Sequence, residues 1–187
     1  LLSEYDELVY IPMSSGLSSA CATAMILARD YLERVFVVDN HRISEAQRSS
    51  VMDALALREA GFTAREIQQE LEDSAFDSVI YVGVETMEYL RRGGRVTSGA
   101  AAISTVLQIK PLLKITGERL DAYAKVRGTI GCKKKLLEAM RRDVEQYAEK
   151  WDIDIGIASS YQDICAAENW QETASGAFPQ YSISSSP

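Results

Sequence analysis

An α/β fold in two parts, a parallel-sheet three-layer α/β/α domain followed by an α/β domain with a mainly antiparallel sheet, is predicted by three observations. From Leu8 to Val84, strand-length apolar stretches alternate with helix-periodic ones, the order that a parallel sheet with crossover helices requires. After Gly93-Gly94 the pattern changes, and two strands flank Thr116-Gly117-Glu118 as in a hairpin. The chain is 47% hydrophobic and 25% charged over 187 residues, which is enough apolar matter for a packed core. The domains are placed at 1–85 and 86–187.

The first strand covers Leu8 to Ile11. Leu17, Ala20, Cys21, Ala24, Met25, Ala28 and Tyr31 recur at helical spacing, so a helix with one buried face is expected from Leu17. Val35 to Val38 reads as an interior strand. A second helix is expected from Ser44, as its cap, to Gly61. Thr63 with Glu66 has the form of a capping box opening a third helix that carries Ile67 and Leu71 inward. Ser78 to Val84 lacks alternation, as in a strand covered on both faces, and the order of elements assigns it to the same parallel sheet.

In the second part, a short helix near Met87 to Leu90 precedes the Gly93-Gly94 break, and a small-residue helix spans Ser98 to Leu107. Pro111 to Ile115 and Arg119 to Val126 are the hairpin strands; in the latter Leu120, Ala122, Ala124 and Val126 alternate with polar residues, so one face is buried. A helix over 132–150 buries Leu136, Met140, Val144 and Tyr147 and leaves Lys133, Lys134, Lys135, Arg141 and Arg142 outside. Ile153, Ile155 and Ile157 alternate along a strand, a helix follows from Ile164 to Thr173, and Tyr181 to Ser184 form the last strand.

A net charge of -7 argues against a nucleic-acid binder that tracks phosphates, although basic residues gather between 91 and 142. No apolar run approaches the roughly 20 residues that span a bilayer, and the N-terminus lacks a signal-peptide pattern; a cytoplasmic location is expected. Cys21, Cys132 and Cys165 are odd in number and without metal-ligand spacing, which predicts reduced thiols and no metal site. The chain opens at Leu-Leu-Ser and stops at Ser-Ser-Ser-Pro, as a fragment would.

The stretch Ile11-Pro-Met-Ser-Ser-Gly-Leu-Ser-Ser19 joins the first strand directly to the first helix. Unpaired backbone N–H groups at such a start, with the positive end of the helix dipole, make a receptor for a carboxylate or phosphate. Ser14, Ser15 and Ser18 add hydroxyl donors, and Gly16 lets an anion approach the backbone. The plain alternative is that serine caps the helix and glycine relieves strain. No Gly-Lys-Ser/Thr follows, and the dinucleotide glycines are absent.

Arg91, Arg92 and Arg95 flank Gly93-Gly94, as a solvated loop or as an arginine aimed at an anion. Lys125 and Arg127 lie on the polar face of their strand. His41, the sole histidine, reads as a surface-loop residue. Asp39 reads as a helix cap, with orientation of the serine turn as its other possible role. No catalytic constellation stands out.

Ser14-Ser-Gly-Leu-Ser18, Glu85-Thr-Met-Glu-Tyr-Leu-Arg-Arg-Gly-Gly-Arg-Val96, Gln108-Ile-Lys-Pro-Leu-Leu113 and Lys125-Val-Arg-Gly128, in this order and spacing, closely resemble the DegV family of bacterial fatty-acid-binding proteins. The resemblance implies a two-domain α/β protein that buries one long-chain fatty acid between its domains. It further implies a noncatalytic carrier that presents the acid to a fatty acid kinase for phospholipid synthesis, with no cofactor besides this ligand. Carried over by motif, Ser14, Ser15, Gly16 and Ser18 meet the carboxylate, while Arg95 and Arg127 serve the head-group end or the kinase surface.

Ala100, Ala101, Ile103, Val106, Leu107, Ile109 and Leu112 are tail-lining candidates, each also readable as ordinary core. The family's N-terminal strand, its Thr-Ser-Gln-Pro-like turn and its later His-Thr-Gly-Pro-Gly segment are not found in this sequence. Rival readings are a serine-dependent phosphotransferase or hydrolase, with His41 as the available base, and a small-molecule regulatory module.

Overall fold

The computed structural model describes residues 1–31, 33–101, 109–116, 118–160 and 164–186. The chain is α/β and divides into two compact units: Leu1–Ile80 with Ile115–Leu120, and Tyr81–Lys114 with Asp121–Pro187.

In the first unit, β1 (Leu8–Tyr10) and β2 (Val35–Val37) pair in parallel, Leu8 opposite Val35 and Tyr10 opposite Val37. Between them runs α1 (Ala20–Ala28), followed by a 3-10 turn over Arg29–Tyr31. Then come α2 (Ser44–Glu59) and α3 (Ala64–Asp73). Val38, Ile67 and Leu71 form the core, with Val9, Ile11, Ala54 and Leu57 packed against it. The inward placement of Ile67 and Leu71 follows from their four-residue spacing on α3.

The capping box is present in full. Glu66 N–H donates to Thr63 Oγ1 at 3.3 Å, and Thr63 N–H donates to Glu66 Oε2 at 2.8 Å. Those bonds from the Thr63 backbone and hydroxyl hold the Glu66 carboxyl below its ordinary range. Thr63→Ala is expected to cost about 1 kcal/mol in a urea titration at neutral pH. Because the folded carboxyl titrates below the unfolded one, that contribution is present above the ordinary carboxylate range and fades as pH falls through the lower folded value. A loss as large in acid as at neutral pH would contradict this.

Two expectations about helix starts are corrected. α1 begins at Ala20 rather than Leu17, and of its residues only Cys21 is buried, while Met25 and Tyr31 are exposed. Its sequence, Ala-Cys-Ala-Thr-Ala-Met-Ile-Leu-Ala, is apolar almost all round, so periodicity could not single out a buried face. Ser44 does not cap α2: the cap position is Ile43, which makes no side-chain cap bond. This end is tied instead by Gln47, whose Nε2 donates to the Ile11 carbonyl at 2.9 Å. At the other end Gly61 has φ +92, and Phe62 N–H reaches back to the Leu57 carbonyl at 3.1 Å, a left-handed stop that favours glycine.

β3 (Ile80–Gly83), β4 (Ile109–Ile115) and β5 (Leu120–Arg127) make a three-stranded sheet in the order β3-β4-β5, of the second unit except for Ile80, Ile115 and Leu120. This corrects the assignment of β3 to the sheet of β1 and β2. Its neighbour is β4, and just past its end Val84 N–H donates to the Pro111 carbonyl at 3.2 Å. Gly83 allows the close covering of β3 from another side, since a methyl group there would lie 2.5 Å from Cys132 Sγ on α6 (Gly128–Tyr147). β4 and β5 are hydrogen-bonded neighbours in that sheet.

On β5, Leu120 is buried but Ala122 is exposed and Tyr123 half-buried, because Tyr123 packs at 4.9 Å on Tyr81. On α6 the buried residues are Cys132 and Ala139, and Tyr147 is 43% exposed, against its expected burial. Lys133 and Arg141, expected on the outside of the helix, stand 5.1 Å over the Trp170 ring and 5.9 Å over the Phe178 ring, where aromatic faces attract cations.

Two short helices, α4 (Glu88–Gly93) and α5 (Ser98–Ala101), lie between β3 and β4, and Gly94 ends α4 in the left-handed region at φ +69. β6 (Ile155–Ala158) and β7 (Ile183–Ser186) form a third, two-stranded sheet, and they are parallel. α7 (Ile164–Ala177) connects them and contributes Trp170 and Ala174 to a core with Ile157.

Candidate head-group turn and the end of strand β2

The serine turn leaves the carboxyl end of β1, and Val38-Asp39-Asn40 leaves that of β2, so both emerge at the end where open parallel sheets bind ligands. Ser14 is 1% exposed. Its N–H donates to the Arg42 carbonyl at 3.0 Å, and its own carbonyl accepts from the N–H groups of Leu17 and Ser18, each at 3.0 Å. Ser18 Oγ then accepts from Ala20 N–H at 3.2 Å. Ser14, Ser15, Gly16 and Ser18 are thus brought together in one closed turn that precedes α1.

The amides of Ser14, Ser15, Leu17, Ser18 and Ala20, expected to be unpaired, have internal partners. The most telling is Ser15 N–H, which donates to Asp39 Oδ1 at 3.3 Å: a carboxylate occupies the amide at which an anion was expected. Asp39 therefore orients the serine turn rather than capping a helix. Its own N–H donates to Glu72 Oε1 at 3.1 Å, and Gln68 on α3 donates to the Val37 carbonyl at 2.6 Å. The backbone reason for Gly16 is direct: a methyl on its Cα would lie 2.1 Å from the Glu118 carbonyl oxygen. The Glu118 peptide, part of the same unit, comes against the turn here, and only a residue without Cβ admits it.

Around Asp39 the surroundings are anionic and rich in acceptors. Burial first, then Asp39 and Glu72, push the Cys21 thiol up to about 11, so it stays protonated in neutral solution. His41 is not a plain surface residue: its side chain is 17% exposed, stacks at 5.3 Å on Phe76, and places Nδ1 3.7 Å from Asp39 Oδ1.

Sequence reasoning passed over the buried polar group behind the turn, comprising Asn40, Arg42, Glu45 and Ser50. Asn40 Nδ2 and Arg42 Nη1 both donate to Ser50 Oγ, at 2.8 and 3.2 Å, and Arg42 Nη2 donates to the Ser74 carbonyl at 2.7 Å. Burial lowers the Arg42 pKa, and Asp53 and Asp77 oppose the shift. The available signal was a polar run, Asp39 to Arg42, placed immediately after an interior strand, where a buried polar residue must find partners.

Arg95 and Arg127 belong to the second unit. Arg95 is exposed, with Nη1 folded onto the Gly93 carbonyl, and Arg127 is exposed at the junction of β5 and α6. Of the tail-lining candidates, Ala100 and Leu112 are fully buried, whereas Ile103, Val106 and Leu107 lie outside the described residues. A surface cleft of about 290 Å³ is lined by Met25, Val35, Phe36 and Arg65 among others, and by none of the four turn residues. Among the described residues no group of acidic, histidine or cysteine side chains could hold a metal ion, and no helix is long and apolar enough to cross a membrane.

The sequence model of the DegV family, described as an uncharacterised protein family, matches residues 1–187. A DegV domain-containing protein of Deinococcus radiodurans is 34% identical over 146 residues, covering 78% of this chain and 52% of that protein. A fatty acid-binding protein of Thermotoga maritima is 29% identical over 147 residues, covering 76% of this chain and 50% of that protein. The chain thus spans about half the length of the relatives it matches. Among solved structures, a DegV family protein from Thermus thermophilus, described for its fatty acid binding, superposes with a TM-score of 0.71 at 28% identity, covering 98% of this chain and 65% of that one.

Proposed function

This chain belongs to the DegV family, and from that premise we propose that it binds a long-chain fatty acid, with the carboxyl group at the turn of Ser14, Ser15, Gly16 and Ser18. We further propose a cytoplasmic, noncatalytic carrier that hands the acid to a fatty acid kinase, with Arg95 and Arg127 facing the head group or that kinase. Support for the ligand class comes from relatives described as fatty acid-binding. The observation that carries the placement is local: three serines and a Cβ-free residue are gathered at the carboxyl ends of a parallel strand pair.

The energetics fit that division of labour. Each buried methylene contributes about 0.8 kcal/mol, so the hydrocarbon dominates affinity, whereas the head needs donors because a buried polar group without them is costly. Mass spectrometry of lipid released from the denatured, purified chain tests the ligand class: a long-chain fatty acid is the expected species, and no acyl species would refute it. Ser15→Ala is expected to weaken retention about fivefold, as for one lost hydrogen bond, and Lys134→Ala to leave it unchanged. Equal retention in both variants removes the turn as the head-group site.

The Asp39–His41 pair beside Ser15 favours a second reading, a serine-dependent hydrolase. Turnover of acyl esters that is lost in both Ser15→Ala and His41→Ala would decide for it.

A further inference from the structure

We infer that the turn takes its acyl ligand as the uncharged acid, one proton being shared between the ligand's carboxyl group and Asp39, so that Asp39 sets a preference for head groups that carry a proton. The inference rests on the fatty-acid reading above. Its starting observation is the bond from Ser15 N–H to Asp39 Oδ1 at 3.3 Å. A ligand carboxylate seeking the same donor meets a resident one, and two carboxyl groups in contact do not both stay ionised.

Glu72 on α3, Cys21 on α1 and His41 in its own loop face Asp39. From α3, Glu72 Oε1 accepts from the Asp39 N–H at 3.1 Å. From α1 comes the Cys21 thiol, kept protonated by burial and then by the two carboxylates. From the same loop, His41 Nδ1 stands 3.7 Å away. The terminal nitrogens of Arg42 are engaged with Ser50 and Ser74, and its Nε has no acceptor among the described residues.

Asn40, 1% exposed and adjacent to Asp39 in sequence, keeps Oδ1 without a hydrogen-bond partner among the described residues. A carboxylic acid or an alcohol brings an O–H that Asp39 can accept, and a carboxylate brings none. The balance is simple: oleate is an anion in neutral water, so binding as the acid takes one proton from the buffer and leaves the ligand–Asp39 pair with a single negative charge.

The test is titration calorimetry of the full chain with oleate at about pH 8, run in two buffers of different ionisation enthalpy. About one proton taken up per oleate is expected in the unaltered protein, and close to none in Asp39→Asn. In a competition between equal amounts of oleate and oleyl alcohol, Asp39→Asn is expected to shift the retained ratio about tenfold toward oleate. Tight binding of oleate without proton uptake in the unaltered chain overturns the inference and leaves the fatty-acid reading standing; an unchanged ratio in a folded variant does the same. Should Asp39→Asn fail to fold, the proton count of the unaltered chain decides alone. Binding of neither lipid overturns the fatty-acid reading, and the inference with it.

Discussion

Arg42→Ala is expected to lower the unfolding free energy by about 3 kcal/mol in a urea titration, with the slope unchanged. Arg42 is 8% exposed and joins segments distant in the chain: one terminal nitrogen reaches Ser50 on α2 and the other reaches the Ser74 carbonyl just after α3. Alanine leaves the Ser74 carbonyl without that donor and opens a cavity between the two helices. Ser50 loses less, because Asn40 still donates to it at 2.8 Å. Arg42→Lys should recover less than half of the loss, since an ammonium group cannot span both acceptors as the guanidinium fork does. A loss below about 1 kcal/mol for the alanine variant would mean that water replaces the bridge without cost.

Gly16→Ala is expected to destabilise the chain by about 3 kcal/mol, at the upper end of overpacking effects. The added methyl would lie 2.1 Å from a carbonyl oxygen and 2.5 Å from the Cα of Glu118, so backbone rather than a pliable side chain has to retreat. Fatty-acid retention should fall with stability, because the displaced turn carries Ser14 and Ser15. Gly99→Ala serves as control: its added methyl meets nothing within 4 Å, and alanine is the better helix residue by up to about 1 kcal/mol. If Gly16→Ala unfolds at the same denaturant concentration as the parent chain, the close approach of residue 118 is wrong.

What the sequence made legible was local. The Thr63–Glu66 box is set by residues three apart, and Ile155 and Ile157, 4% and 7% exposed, show the alternation of a half-buried strand. The serine turn was legible as a place but not in its wiring. Two of its amide partners, Asp39 and the Arg42 carbonyl, lie more than twenty residues away, and nothing in the turn's own composition encodes them. Sheet membership failed for the same reason: β3 resembles an interior strand whichever sheet receives it, and its pairing with β4 is a long-range choice. Arg42 was missed because burial of an arginine is invisible until its acceptors at 50 and 74 are assembled.

The first unit is not a continuous stretch of chain, since Ile115–Leu120 returns to it after the chain has built part of the second. No single cut therefore separates the two units intact. A product of residues 1–80 would lack the very peptide that rests on Gly16. Domain dissection of this chain calls for excision and rejoining rather than truncation.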